Sequence, residues 1–258
     1  MNIFVMVDME GISGICRSSQ VMSSEADYQA ARRFMTWDAN ACVDGLVAGG
    51  ARKVVVRDAH SSGFNFLWDE LDDRAEWIQG RSGTERMPGI DSFDGLVLLG
   101  YHAMASTPRA ILEHTMSSRA WQNFWLNGVR CGELGIDAAM AGDHGVPTVL
   151  ASGDDKLCRE ARRFVKGIVT VQVKKGLDCQ GGQLLPKARA HERIRKGAAE
   201  AVARCKEIKP YKVRHPVRMR LELVSRGSVP AGRRGVKVID GRTYEVVAPT
   251  VEEALRAL

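Results

Sequence analysis

The stretch Asp8-Met-Glu10-Gly11-Ile-Ser-Gly14 constrains this chain more than any other. Asn2 to Val7 is a short apolar run rich in β-branched residues, and a Gly/Ser cluster bounds it, so Asp8 stands where a buried strand should end. Asp8 and Glu10 are two residues apart and share a face if the extended backbone continues. Two carboxylates that close repel unless a cation lies between them. Oxygen ligands alone suit Mg or Ca, and oxygens joined by imidazoles suit Zn, Mn or Co. The positions of the histidines therefore decide the chemistry.

The same design recurs along the chain. A helix capped by Ser23 or Ser24 and running to about Ala48 separates the first strand from a second, Lys53 to Arg57, which delivers Asp58-Ala59-His60. A strand–helix–strand unit implies a parallel sheet whose strand ends gather at one edge, the edge where open α/β sheets bind ligands. A third apolar run, Gly95 to Gly100, delivers Tyr101-His102. Trp121 to Cys131, turning at Asn127-Gly128, reads as a hairpin that leads into Gly132-Glu133 at a helix start. Thr148 to Ser152 is another buried strand. Asp154 and Asp155 follow as acids suited to a helix N-terminus.

Beyond Gly167 the character changes. Ile168 to Lys174 reads as a strand, Gly176 to Gln183 as a Gly-rich loop, and Pro186 to about Lys206 as a basic amphipathic helix. A half-exposed strand follows at Val217 to Val224, then a turn-rich segment from Gly227 to Gly241, a strand around Tyr244 to Ala248 and a last helix. The expected fold is α/β: a mostly parallel central sheet flanked by helices (residues 1–170, carrying the metal site) with a smaller C-terminal α+β domain (171–258) for oligomerisation or channel lining.

Charge divides along the same line. Residues 1–150 carry 12 Lys+Arg against 19 Asp+Glu, and the rest carry 25 against 12, which together give the net +6. The basic residues are scattered and lack interleaved aromatics, so nucleic-acid binding is the lesser reading. Pairing with the acidic half or a neighbouring subunit is the greater one. No apolar run is long enough for a signal peptide core or a membrane span, so a cytoplasmic protein without membrane contact is expected. The six widely spaced cysteines contain no CxxC and are expected reduced and mostly buried. His144, His191 and His215 lie in polar or basic surroundings and read as surface residues.

Asp8, Glu10, His60, His102 and Glu133 thus fall at four strand ends or helix starts, enough for one zinc with an open position or for two divalent ions. His114 follows a loop and has the pKa for proton transfer, for donating to an oxyanion, or for nucleophilic attack. Asn65 suits a bond to substrate or to a ligand, or a turn.

Asp8-Met-Glu10-Gly-Ile-Ser-Gly14, Asp58-Ala-His60 with Asn65, Gly100-Tyr-His102-Ala with Ala105-Ser-Thr107, Glu113-His114-Thr-Met116, Gly132-Glu133-Leu-Gly135 and Val146-Pro147 with Gly153-Asp-Asp155 stand in the order of one family. The chain resembles the zinc D-aminopeptidases of the DppA type, over Met1 to about residue 165. The resemblance implies a cytoplasmic metallo-aminopeptidase that removes N-terminal D-residues, typically D-Ala, from short peptides and assembles as a homodecamer around an inner channel. It places Asp8, Glu10, His60, His102 and Glu133 on the zinc ligands, with Asp8 as the natural bridge, and His114 on the catalytic histidine. The competing readings are a two-metal hydrolase of another amide or a phosphate ester, and a non-enzymatic nucleic-acid-binding protein that uses the basic C-terminal half.

Overall fold

A computed structural model describes all of residues 1–258. In chain order its elements are β1 (Asn2–Val7), α1 (Tyr28–Ala48), β2 (Lys53–Asp58), β3 (Glu76–Ile78), β4 (Gly95–Leu99), β5 (Trp121–Leu126) and β6 (Val129–Arg130). They continue with α2 (Glu133–Asp143), β7 (Thr148–Asp154), α3 (Asp155–Phe164), β8 (Val169–Asp178), β9 (Gly181–Leu184) and α4 (Lys187–Arg204), and end with β10 (Val217–Leu223), β11 (Val236–Val238), β12 (Thr243–Ala248) and α5 (Val251–Ala257).

Seven strands form the central sheet in the order β3-β2-β1-β4-β7-β8-β9, parallel except for β9. β4 and all of β1 but Asn2 are apolar and buried, as strands covered on both faces must be. Its strand order reverses direction beside β1 and β4, and the carboxyl ends of β1, β2 and β4 carry Asp8, His60 and His102 to one edge. The register Val7↔Asp58 and Val7↔Leu99 sets those three ends level. A second sheet, β11-β12-β10-β5-β6, is antiparallel. The fold is the mixed α/β architecture expected. The expected division near residue 170 falls within β8, which is hydrogen-bonded to β7, and the second sheet pairs β5 of the N-terminal half with β10 of the C-terminal half.

Several local expectations are corrected. The first helix begins at Tyr28, not after Ser23 or Ser24, because residues 21–27 run as turns past the cluster, where the Val21 carbonyl takes a bond from His60 Nε2 at 3.0 Å. Gly176–Gln183 is not a free loop. It forms the end of β8 and the start of β9, an antiparallel hairpin that closes the sheet edge. His191 is buried, not at the surface, with Nε2 3.1 Å from Asp38 Oδ1. All six cysteines are free and four are buried. Basic residues of the second half pair with acids near them, Arg195 with Asp44 at 2.8 Å and Arg220 with Glu245 at 2.7 Å. No helix is long and apolar enough to cross a membrane.

Candidate metal centre

Backbone contact between two strand ends builds the floor of the site. The Gly11 N–H donates to the Gly100 carbonyl at 2.7 Å, and a Cβ at Gly11 would lie 1.9 Å from the Tyr101 oxygen, so only glycine fits. Gly100 has φ +71° and its own Cβ would lie 2.3 Å from the Asp8 oxygen. The two glycines let the Asp8–Glu10 turn lie against the His102 turn.

Above that floor the five expected side chains meet, each less than 10% exposed. His60 Nδ1 is 3.1 Å from both Asp8 Oδ1 and Glu10 Oε2. His102 Nε2 is 3.3 Å from Asp8 Oδ2 and 3.3 Å from Glu133 Oε1. Asp8 therefore faces both imidazoles, one with each oxygen. Around these contacts two groups have metal-ligand spacing: Asp8, Glu10 and His60 form the first, and His102, His114 and Glu133 the second. His114 stacks on His102 with ring centroids 3.9 Å apart and holds Nε2 3.6 Å from Glu133 Oε1.

Each imidazole uses its outer nitrogen on a backbone carbonyl: His60 Nε2 on Val21, His102 Nδ1 on Ala103 at 3.1 Å, and His114 Nδ1 on Leu112 at 3.0 Å. With a proton fixed there, the inner nitrogen of a neutral ring presents a lone pair to the carboxylates, and such a pair repels oxygen unless a cation intervenes. Asp8 Oδ2, Glu10 Oε2 and His102 Nε2 are buried without a hydrogen-bond partner. The protein thus offers converging, unsatisfied oxygen and nitrogen donors, and the set fits zinc.

With no cation the same cluster holds protons. Burial pulls the His60 and His102 pKa values down, but Glu10 and Asp8 beside His60, and Glu133 and Asp8 beside His102, outweigh it and raise both well above the ordinary value. Burial would raise Asp8, yet the close approach of His102 and His60 holds it well below the usual carboxylate range. Glu133 is likewise lowered, against burial, by His102.

Residues outside the cluster hold its walls. Both Asn65 amide hydrogens are used, on Asp58 Oδ1 at 2.9 Å and the His60 carbonyl at 2.8 Å, and its oxygen accepts from Tyr28. Asn65 thus fixes the turn that carries His60. Asp154 caps α3, accepting from the Lys156 and Leu157 amides, and also accepts from the Ile111 amide at 3.0 Å. Sequence reasoning missed two others. The Lys174 ammonium, fully buried, donates to the carbonyls of Glu10, Ile12 and Ile15 at 2.6–2.8 Å, and burial lowers its pKa to about 8. No sequence signal marked it, because Lys174 falls in the polar register of Thr170 and Gln172, opposite to Val169-Val171-Val173. Glu160 of α3 accepts from the Met104 amide at 2.8 Å, and burial raises its pKa to about 7.

A cleft of about 550 Å³ opens over the cluster, lined by Asp8, Glu10, His60, His114 and Glu133 together with Arg86 and the turn at Ser117 to Arg119. That volume is of the size that small ligands fill.

Comparison with known proteins places the chain. A D-aminopeptidase of Bacillus subtilis (strain 168) is 34% identical over 212 residues, 81% of this chain and 77% of that one. The solved structure of the Zn-dependent D-aminopeptidase DppA from Bacillus subtilis, described as a self-compartmentalizing protease, superposes with a TM-score of 0.95 at 30% identity, covering 100% of this chain and 95% of that one. The Peptidase_M55 family model, described as D-aminopeptidase, matches residues 1–258, and the chain belongs to that family.

Proposed function

We propose that the protein is a zinc-dependent aminopeptidase that removes N-terminal D-residues, D-Ala among them, from short peptides. The observation that carries this is the set of buried, unpartnered donors on Asp8, Glu10 and His102 converging with His60 and Glu133 beneath an open cleft. Asp8, Glu10, His60, His102 and Glu133 hold the metal, one or two ions per subunit, and Asp8 serves both halves of the cluster because its oxygens face different imidazoles. A zinc ion held by these residues would supply Lewis-acid polarisation of the scissile carbonyl and would lower the pKa of water toward about 7.

The protein's own groups do the rest. Carboxylates of the cluster, Glu10 among them, line the cleft and would receive the ammonium end of the substrate. His114 is the catalytic residue: Leu112 fixes its Nδ1 proton, and the ring lines the cleft, where Nε2, 3.6 Å from Glu133 Oε1, takes a proton from the attacking water and returns it to the leaving amine. Asn65 and Lys174 keep the turns bearing His60 and Glu10 in place. A second reading of His114 follows from its membership of the group with His102 and Glu133, which would make it a ligand.

We further infer that the subunits assemble into a cytoplasmic homo-oligomer, a decamer. The self-compartmentalizing description of the similar DppA structure supports assembly, as do the exposed apolar side chains of Trp68, Val238, Ile239 and Val247. Sedimentation tests it against the 28.3 kDa of one chain.

Metal analysis with a panel of D-Ala-D-Ala, D-Ala-Gly-Gly and their L counterparts, with and without chelator, tests the activity. Zinc-dependent release of D-Ala is expected; hydrolysis of the L forms alone removes the D assignment, and turnover that survives chelation removes zinc. His114→Ala is expected to keep its zinc and lose turnover. Lost zinc would make His114 a ligand.

A further inference from the structure

A second cavity, about 860 Å³, lies beside the cleft and shares Ala59, Ser61 and Arg86 with it, so the two adjoin. Its wall carries Arg57, Arg81, Arg86 and Arg256. Two of these are already matched: Arg86 makes a two-pronged pair with Asp137 at 2.6 and 2.9 Å, and Arg256 pairs with Glu252 at 3.1 Å. Arg57 is not. Its Nη1 is buried and bonded to nothing in the protein. Burial and the neighbouring Arg86 both weaken its hold on its proton, although a guanidinium remains charged at any physiological pH. Asp58 and Asp137 nearby offset part of this, but neither bonds Nη1, and an unused donor on a half-buried cation is costly unless an acceptor completes it. Ser61 and Thr84 line the same cavity, with Asp58, Glu85 and Glu252.

We propose that this cavity receives the C-terminal carboxylate of the peptide substrate, with Arg57 as the group that binds it. The inference rests on the aminopeptidase reading and names the substrate class more closely: short peptides with a free carboxyl end. A peptide whose ammonium end is held at the cluster has its carboxyl end pointing away from it, and the cavity adjoins the cleft along Ala59, Ser61 and Arg86. Two or three extended residues span roughly 7–10 Å, so only short peptides present both ends at once. The planar fork of Arg57 matches the two oxygens of a carboxylate, and an amide offers it one neutral oxygen.

The test uses zinc-loaded protein and a D-Ala-Gly analogue with the scissile amide replaced by CH2–NH, prepared as the free acid and as the C-terminal amide. Titration calorimetry should show the acid binding about tenfold or more tighter than the amide, and that ratio should fall to about 1 in Arg57→Met. The ratio of kcat/KM for D-Ala-Gly over D-Ala-Gly amide should collapse in the same way. Equal affinity for acid and amide in the unmodified protein overturns the proposal without reference to any variant, and a preference that survives Arg57→Met overturns the role of Arg57. If the acid is preferred while neither peptide is hydrolysed, the carboxylate site stands and the aminopeptidase reading falls.

Discussion

Replacing Glu160 by Gln should change how stability depends on pH, by an amount that its surroundings set. The carboxylate is buried in α3 against the backbone of the turns that bear His102 and Glu133. One oxygen accepts from the Met104 amide at 2.8 Å, and the other, facing Gly132, has no partner. Burial raises its pKa from 4.5 to about 7. In the unfolded chain the proton leaves near 4.5, whereas the folded protein keeps it until about 7. Between those values the folded state binds more protons, so stability falls as pH rises and then levels off. A shift of that size corresponds to about 3 kcal/mol at ~1.36 kcal/mol per unit. Gln keeps an acceptor for Met104 and cannot ionise. Every other titrating group, the metal ligands included, is common to both proteins, so the difference in unfolding free energy isolates Glu160. Guanidinium unfolding at intervals from pH 4.5 to 8 should show Glu160→Gln gaining about 3 kcal/mol relative to the parent across that window, whatever the offset at the acid end. A flat difference curve would refute the reasoning, and a falling one would reverse its sign.

Lys174→Met removes a donor from three buried carbonyls of the Asp8–Ile15 turn, of which only that of Ile12 keeps another, the Ile15 amide at 3.3 Å; at about 1–3 kcal/mol for each unsatisfied group, less the relief of no longer burying an ammonium, the net loss should be about 2–4 kcal/mol. Zinc affinity should fall with it, and a thermal melt matching the parent, with zinc retained on dialysis, would show the turn to be held by other means. Zinc affinity should also rise with pH above 6.5, because His60 and His102 must shed protons that Glu10, Glu133 and Asp8 stabilise; a binding constant flat from pH 6.5 to 8, read with a competing chelator, would contradict the protonated metal-free cluster.

The cluster was legible because its residues sit where local pattern is strongest. Short apolar strands end visibly at Asp8, His60 and His102, and a parallel sheet brings such ends to one edge whatever the details of packing. Glu133 was legible from the Gly132 turn into α2. Less was legible where partners lie far apart in the chain. The stacking of His114 on His102 depends on the irregular path between residues 101 and 117, where Ser106, Arg109, Leu112 and Met116 take positive φ, and no periodicity announces such a path.

The sequence by itself determined the α/β layout, the edge that carries chemistry and the donor types gathered there, because burial and strand period act over a few residues. Tertiary structure alone decided that the two halves share both sheets, that Lys174 reaches back 164 positions to the Glu10 carbonyl, and that Arg57 faces a cavity without a partner. Those features turn on which groups find a hydrogen bond after packing, and that is settled by three-dimensional proximity between segments whose local patterns carry no trace of one another.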